Sequence, residues 1–316
     1  MKVLFISSGN INTGINIIIK NQGESLKKAG IEIDYFLIRG KGIRTYIKHI
    51  RILRDFLKQS NYDLYHAHYS FSSFAASIAG CRPLVTSLMG SDTKSGIFWK
   101  LLIKLFATCC WNKTIVKSLS VKQNIRIKRA IIIPNGVNLD KVIPTDAYKV
   151  NSQIKTIIFV ANPERYSKNY LLSERAISLL NDNRISFKVV HSKPHQEVIN
   201  EINNSQVLLL TSRWEGSPNI IKEAMACNCP IVSTDVGDVR WLLGSEPGHF
   251  ITSYKTEDVA AKIIQALEFS EKYGRTKGRL RIIELGLDSE TIAKRIISVY
   301  EEVLEKQNRK KHKEVI

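Results

Sequence analysis

The feature that most constrains this chain is a regular alternation of short apolar runs with longer segments of helical periodicity. The runs are apolar along nearly their whole length, which is typical of strands in a parallel sheet covered by helices on both faces. The alternation stops at a polar, turn-rich stretch from Pro134 to about Ser152 and then resumes. The pattern therefore predicts two α/β units, each built on a doubly wound parallel sheet.

The alternation sets the predicted elements and the domain limits. The predicted strands are 2–7, 32–38, 63–68, 83–88, 113–117 and 130–133 before the break, and 155–161, 186–191, 207–210, 230–234 and 249–251 after it. The predicted helices are 14–29, 42–59, 72–80, 95–110, 119–127, 168–182, 195–203, 218–227, 256–270 and 288–306. We expect a first domain over 1–143, a second over 144–306 whose last helix can pack back on the first, and a disordered basic tail over 307–316.

The most informative single string is 208–227, in which an apolar strand runs into a Gly/Ser/Pro turn and then a helix. The free N–H groups of the first helical turn favour an anion, and Pro218 suits the helix start because its missing N–H costs nothing there. Glu215 lies on the turn, and Glu223 lies roughly 7–8 Å along the helix axis beyond Pro218. One acid can then face a sugar and the other a ribose, with a diphosphate between them. This layout suits a nucleotide-sugar, and a solvated acidic helix start is the alternative.

The spacing of Glu215 and Glu223 resembles the E-x7-E motif of retaining glycosyltransferases of GT-B fold, and E-G-S-P-N-x-x-K-E-A resembles the family-4 glycosyltransferases. The resemblance implies two Rossmann-like domains facing across a cleft, the first for the acceptor and the second for the nucleotide-sugar. It also implies that Glu215 holds the donor sugar and that Glu223 holds the ribose hydroxyls. The remaining donor-binding residues are then Gly216, Ser217, Pro218, Asn219 and Ile220.

A second string, 159–170, places Arg165 and Lys168 in a strand-to-helix loop. Two cations in such a loop can grip a diphosphate and stabilise the charge that it gains as the glycosidic bond breaks. This resembles the Arg/Lys pair of the family, which usually follows Gly-Arg, whereas Asn162-Pro163 stands here. A solvated basic loop is the alternative.

Histidines end the third predicted strand. His66 and His68 share one face of that strand by its two-residue period. The segment resembles the D-x-x-H-x-H segment of the family, which implies that His68 approaches the transferred sugar near its primary hydroxyl and that His66 is structural. A buried, hydrogen-bonded core histidine is the alternative for either.

Two further segments of the first half follow strands. Asp92 ends a string that resembles the H-G-x-D segment of the family, so it is expected to contact the acceptor hydroxyl, or else to cap a helix that begins near Lys94. Gly14 lies in a loop where backbone N–H groups can approach the donor, although a plain helix start capped by Asn12 or Thr13 is equally compatible.

The net charge of +18 is concentrated in the first half, since residues 1–145 hold 22 Lys and Arg against 7 Asp and Glu, and the remainder 25 against 22. A basic half attracts phosphate-rich partners. The helical segments 42–59 and 95–110 carry cations beside apolar positions, so they are candidates for contact with an anionic inner leaflet. A helix that covers the sheet and has a solvated outer face is the alternative.

Several site classes are missing from the sequence. It has no D-x-D, Walker loop, G-x-S-x-G or G-x-G-x-x-G, and its cysteines lack zinc spacing. We therefore expect no cofactor and no metal, with cations and the helix start neutralising the diphosphate. The chain also lacks a long apolar run and a signal peptide, so a cytoplasmic enzyme, peripheral on the inner face of the membrane, is expected.

These interpretations predict a retaining, metal-independent hexosyltransferase. It would move a sugar from a nucleoside-diphosphate-sugar to a hydroxyl of a glycan or lipid-pyrophosphate-linked acceptor, in bacterial surface polysaccharide synthesis. A basic nucleic-acid-binding protein is the alternative from another class, but the sequence carries no such motif, and we expect no nucleic-acid partner. A sugar-nucleotide epimerase of the same fold is a nearer alternative.

Overall fold

The computed structural model describes residues 1–9, 14–40, 42–90, 96–145 and 153–315, with side chains described as far as 309. The chain forms two compact units. The first unit is Met1–Gly136 together with Ser289–Ile316, and the second is Val137–Asp288.

Each unit contains one all-parallel sheet. The strands of the first unit are β1 (Lys2–Ser8), β2 (Glu32–Ile38), β3 (Leu64–His68), β4 (Leu84–Leu88), β5 (Lys113–Val116) and β6 (Ile131–Ile132). Those of the second unit are β7 (Lys155–Val160), β8 (Ile185–Val190), β9 (Val207–Leu210), β10 (Ile231–Thr234) and β11 (His249–Thr252). Every predicted strand is present, which confirms the two parallel-sheet α/β units.

The helices fill the connections between strands. They are α1 (Ile17–Lys28), α2 (Ile43–Lys58), α3 (Ser70–Ala79), α4 (Ile97–Cys109), α5 (Leu119–Ile125), α6 (Tyr170–Leu180), α7 (His195–Asn203), α8 (Asn219–Ala226), α9 (Val239–Leu243), α10 (Thr256–Tyr273), α11 (Gly278–Glu284) and α12 (Ser289–Val315). Within the described part of the chain, no helix combines the length and the apolar content that a bilayer crossing requires.

The two sheets share one strand order. The first runs β2-β1-β3-β4-β5-β6 and the second runs β8-β7-β9-β10-β11, so the first strand of each lies between its second and third. The direction of winding reverses at that point, and open α/β sheets bind ligands beside the carboxyl ends of the two strands concerned. The crevice of the second unit therefore lies where β7 and β9 end, and that of the first unit where β1 and β3 end.

Apolar side chains hold helices against each sheet. In the first unit, Leu4 and Ile6 of β1 pack in one buried cluster with residues of α2, α3 and α4. In the second unit, Ile157 of β7 and Leu209 of β9 pack with residues of α6 and α10. Leu4, Ile6 and Ile157 are completely buried. These cores fix the strand ends from which the site loops emerge.

The other face of the first sheet carries a buried polar contact to the last helix. His66 of β3 is hydrogen bonded through Nδ1 to the Tyr300 hydroxyl at 2.5 Å, and through Nε2 to Ser87 Oγ at 2.8 Å. His66 and Tyr300 are both completely buried. His66 is thus a hydrogen-bonded residue of the interior, and Tyr300 attaches α12 to the first unit.

We expect Tyr300→Phe to lower the free energy of unfolding by about 1–3 kcal/mol, because it leaves a buried ring nitrogen of His66 without its partner. Urea denaturation followed by circular dichroism measures the change. Tyr273→Phe is the matched control, since Tyr273 is 62% exposed. Equal stability of the two variants would show that the Tyr300 hydroxyl contributes nothing.

The structure corrects the predicted domain limits. The units divide at Gly136 rather than at 143, because the Val137 N–H already donates to the Leu287 carbonyl and Val137 pairs with Asp288 in the second unit. The last helix belongs to the first unit. The predicted disordered tail at 307–316 is wrong as far as Val315, because α12 continues through it.

Helix α12 is long because nothing in its sequence interrupts it and ion pairs support it. Helices α9 and α11 were not predicted because they are short. No Gly or Pro interrupts 289–315, and the pairs Glu302–Lys306 and Glu305–Arg309 have the favourable i,i+4 order. By contrast, α9 and α11 have five and seven residues, too few turns to show a clear helical period.

Candidate functional site

Two loops of the second unit meet beside the ends of β7 and β9. The loop after β7 contains a single 3₁₀ turn, Tyr166–Lys168, and the loop after β9 leads into α8. The Arg213 N–H donates to the Ser167 carbonyl at 2.8 Å, and the Thr211 hydroxyl lies within hydrogen-bond distance of the Lys168 carbonyl. The two loops therefore hold each other in place at the crevice.

Lys168 and Glu215, both predicted site residues, form an ion pair across these loops. Lys168 Nζ lies 2.5 Å from Glu215 Oε1, and the Ser212 hydroxyl donates to the same oxygen at 2.8 Å. The side chains of Lys168 and Glu215 are only 13% and 17% exposed, so water screens the pair weakly. The ammonium keeps further N–H groups for an anion, and Glu215 keeps a second oxygen for a hydroxyl.

The structure does not bring Arg165 to this pair. Arg165 is exposed, and none of the described residues forms an ion pair with it. Asn162 shapes the start of the loop, because its side-chain oxygen accepts from the Glu164 N–H at 3.0 Å and its carbonyl accepts from the Arg165 N–H at 3.1 Å. This turn stands where the family usually has Gly-Arg.

Glu223 of α8 pairs with His195, a residue that the sequence analysis did not identify. Its Oε1 lies 2.9 Å from Nε2 of His195 at the start of α7, and the two side chains are 18% and 22% exposed. The hydrogen bond to Glu223 raises the pKa of His195, although burial opposes the shift. No spacing relates the two residues in the sequence, because the order of β8 and β9 in the sheet determines their contact.

We expect Glu223→Gln to lower the pKa of His195, because the amide removes the carboxylate that favours the imidazolium. A histidine with a raised folded-state pKa adds stability that is complete below the unfolded value of about 6.5 and is lost as pH rises through the folded value. The contact should therefore stabilise the parent protein more at pH 5.5 than at pH 9. An NMR titration of the His195 ring in both proteins checks this, with His191 as an internal control, and an unchanged His195 pKa would contradict it.

A buried lysine lies beneath the turn that carries Glu215. Lys222 of α8 is completely buried, and its Nζ lies 3.3 Å from Ser217 Oγ. Burial lowers the pKa of Lys222 to about 8, while Asp238 and Glu223 oppose the shift. Burial likewise raises the pKa of Asp238 to about 6, and Lys222 opposes that shift. The motif therefore contains a charged residue that supports the turn from inside.

The loop after β10 supports the same turn through its backbone. Gly237 has a left-handed φ of +64°, and a Cβ built there would lie 2.5 Å from the Gly216 carbonyl oxygen. Only glycine fits this close approach. Gly237 and Asp238 were not predicted as site residues, because their proximity to this turn depends on the loop after β10 and not on the strings after β7 and β9.

His68, a predicted site residue of the first unit, lies in the interior next to His66. His68 is 1% exposed, its ring stacks on His66 at 4.3 Å, and neither of its nitrogens has a hydrogen-bond partner among the described residues. Burial, followed by the nearby charge of Lys117, lowers the pKa of His68 to about 3. His68 is therefore a buried, neutral imidazole near pH 7, and no described residue forms a hydrogen bond with either ring nitrogen.

The alternative cap for α1 is wrong. Asn16, not Asn12 or Thr13, caps α1, since its side chain accepts from the Ile18 N–H at 3.0 Å. Asp92 lies outside the described residues, and the described helix α4 begins at Ile97 with Gly96 at the cap position.

Gly14 has a left-handed φ of +94°, and a Cβ there would meet nothing within 4 Å among the residues that the structure describes. None of those residues closes the side where a side chain would project. The predicted contact of Gly14 with the donor stays a prediction.

Comparison with known families covers both units. Residues 17–141 match the family described as Glycosyltransferase Family 4, and residues 147–281 match Glycosyl transferases group 1. An uncharacterized glycosyltransferase of Methanocaldococcus jannaschii is 25% identical over 75% of this chain and 74% of its own length. An Escherichia coli UDP-Gal:α-D-GlcNAc-diphosphoundecaprenol α-1,3-galactosyltransferase is 23% identical over 71% of this chain and 74% of its own length.

Solved structures with similar folds include a sucrose-phosphate synthase and a protein bound to UDP and glucose. Sucrose-phosphate synthase from Thermosynechococcus elongatus superposes with a TM-score of 0.78 at 16% identity, covering 96% of this chain and 99% of that one. Anabaena HepE in complex with UDP and glucose gives a TM-score of 0.71 at 15% identity, covering 96% and 100%. At these identities the likeness shows the fold.

Proposed function

Because this chain belongs to the family-4 glycosyltransferases of GT-B fold, we propose that it transfers a sugar from a nucleoside-diphosphate-sugar with retention of anomeric configuration. The observation that carries the proposal is the Lys168–Glu215 pair at the crevice of the second sheet. A cation for a diphosphate and an acid for a sugar stand side by side there, held by two loops that bond to each other.

The donor would lie along the start of α8. Glu215 and the backbone N–H groups of the turn hold the sugar and a phosphate, and Glu223 accepts hydrogen bonds from the ribose hydroxyls. The turn residues that we assign to the donor are Gly216, Ser217, Pro218, Asn219 and Ile220. The partial burial of Glu215 and Glu223 supports this assignment, because a hydroxyl bound to a weakly hydrated carboxylate loses little to competing water.

Transfer breaks the bond between the anomeric carbon and the leaving phosphate oxygen and forms one to the acceptor oxygen on the same face of the ring. The acceptor proton passes to the leaving phosphate oxygen, so atoms and charge balance. Lys168 stabilises the charge that develops on the diphosphate, with Arg165 and the start of α8 as further support. We propose that these groups do so without a divalent metal.

The first unit would bind the acceptor and contact the transferred sugar. His68 is our candidate for contact with a sugar hydroxyl, and its depressed pKa makes it an uncharged hydrogen-bonding group rather than an acid. Asp92 remains our candidate for the acceptor hydroxyl. Gly14 remains our candidate for a backbone contact with the donor.

We also propose a glycan or lipid-pyrophosphate-linked acceptor and a place on the inner face of a bacterial membrane. The Escherichia coli relative acts on a diphosphoundecaprenol-linked sugar. The basic first half supports this, because positive charge draws a protein to an anionic leaflet. On α2, Ile43 and Ile47 are 54% and 61% exposed, so apolar side chains there face solvent beside the cations.

The test is a panel of nucleoside diphosphates and their sugars measured by thermal shift and calorimetry. We expect one nucleotide to raise the melting temperature of the parent protein. Glu223→Ala should weaken its binding by about tenfold to a hundredfold, which is the loss of hydrogen bonds to a charged group. Glu268→Ala, which removes an exposed helical glutamate, is the matched control.

Equal nucleotide affinity of the Glu223→Ala variant and the parent would contradict the ribose assignment. Conversion of the donor sugar in the absence of any acceptor would favour an epimerase instead. Product stereochemistry read by NMR tests retention, and activity in excess chelator tests metal independence.

A further inference from the structure

Helix α4 presents two apolar faces. One packs inward, where Ile103 is 1% exposed and Trp99 and Phe106 contact the core. The other faces solvent, with Ile97 75%, Phe98 66%, Leu101 57% and Leu105 57% exposed. A helix that merely covers a sheet has a polar outer face, so the core does not account for this second stripe. We call Ile97, Phe98, Leu101 and Leu105 the outer stripe.

A cavity opens beside the outer stripe, between α4 and the end of α5. Its volume is about 290 Å³, and it is lined by apolar and cationic side chains together. The lining residues that matter here are Ile97, Leu101, Lys100, Lys104, Asn124 and Arg126. Lys100 Nζ donates to Asn124 Oδ1 at 2.6 Å, which fixes one cation at the wall.

The charge of this cavity favours an anion. Three cations line it, and no carboxylate is among its described lining residues. Lys104 and Arg126 form no ion pair within the described ranges, so both charges are uncompensated there. The carbonyls that end α5 oppose an anion, but a helix terminus carries at most about half a charge, against three full charges of the opposite sign.

We propose that this cavity seats the phosphate headgroup of an anionic phospholipid while the outer stripe enters the acyl region of the same bilayer. The proposal deepens the membrane association proposed above by naming its site, and it needs no sugar transfer. Cations and exposed large apolar side chains lie next to each other on one helix, as interfacial binding requires. The net positive charge of residues 1–145 draws this face towards an anionic leaflet.

Vesicle flotation tests the site. The full chain is mixed with vesicles of phosphatidylcholine alone or with phosphatidylglycerol added. We expect recovery with the anionic vesicles only. Phe98→Ser/Leu101→Ser should lose the apolar contribution, and Lys104→Glu/Arg126→Glu the electrostatic one, each lowering the partition coefficient by at least about tenfold.

Matched controls lie in the second unit. Arg175→Glu reverses an exposed cation and Leu280→Ser removes an apolar side chain that is 56% exposed, and both variants should float like the parent. Circular dichroism and melting temperature confirm that each variant is folded. Flotation of Lys104→Glu/Arg126→Glu equal to that of the parent would overturn the headgroup site.

Two further outcomes would also overturn the proposal. One is equal recovery with neutral and anionic vesicles. The other is release of the bound protein by chloride as fully as by inorganic phosphate at the same ionic strength, since that would show a diffuse charge attraction and no seat for a phosphate group. Transfer to a soluble acceptor, measured on the same variants, is independent of flotation and separates a failure here from a failure of the enzymatic proposal.

Discussion

Replacement of Lys168 by alanine should lower kcat by about 100-fold to 1,000-fold, which is the usual loss when one preorganised charge is removed from a transition state. The ammonium lies 2.5 Å from Glu215 at the crevice, so under the proposed function its loss should affect both the leaving diphosphate and the orientation of the acid. Steady-state kinetics with the identified donor measure the change. KM for the donor should change less than kcat, because the diphosphate gains its charge as the bond breaks.

The controls separate catalysis from loss of the ion pair. Lys188→Ala removes a partly exposed lysine that pairs with Glu201 in the same unit, and it should leave kcat unchanged. Lys168→Arg keeps the charge with a different shape and should retain part of the activity. Arg165→Ala should have a smaller effect than Lys168→Ala, because Arg165 is exposed and forms no ion pair with the described residues. Parent-like turnover of the Lys168→Ala variant would remove this residue from the site.

Gly237→Ala should lower kcat/KM by more than about tenfold by displacing the turn that holds Glu215. The new Cβ would lie 2.5 Å from the Gly216 carbonyl oxygen and 3.1 Å from that of Glu215, both backbone atoms that cannot rotate away. The positive φ adds roughly 1–2 kcal/mol of strain. Kinetics and thermal melting, measured with and without the donor, report the two effects separately.

Gly80→Ala is the matched control for backbone strain. Gly80 has a φ of +98°, but a Cβ there would meet nothing within 4 Å. It should lose stability through strain alone and keep its affinity for the donor. If the two alanine variants lost activity equally, close packing against Gly216 would not be the cause.

Local pattern was enough to predict both sheets. A fully apolar run of four or five residues, such as β9, is too short to show the polar and apolar faces of a surface helix. Its assignment as a buried strand therefore needed no information from distant parts of the sequence. The boundary at Gly136 and the return of α12 depend on contacts such as Tyr300 with His66, which lie 234 positions apart. No local period encodes contacts of that kind.

Several residues of the candidate site were predictable from the sequence, but their arrangement was not. Glu215, Glu223 and Lys168 stand out through their strings, yet the pairing of Lys168 with Glu215 follows from the adjacency of β7 and β9 in the sheet. His195 and Gly237 were missed for the same reason, since His195 reaches the site from the start of α7 and Gly237 from the loop after β10.

The path of the backbone makes the second unit an insertion within the first. The first unit is discontinuous, because Ser289–Ile316 returns to it after Val137–Asp288 is complete. A truncation that removes α12 would uncover the buried His66 on β3 and take away its tyrosine partner. Fragment 137–288, by contrast, contains a whole sheet and its helices, so the proposed donor recognition is best tested by expressing that piece rather than by shortening the chain from its carboxyl end.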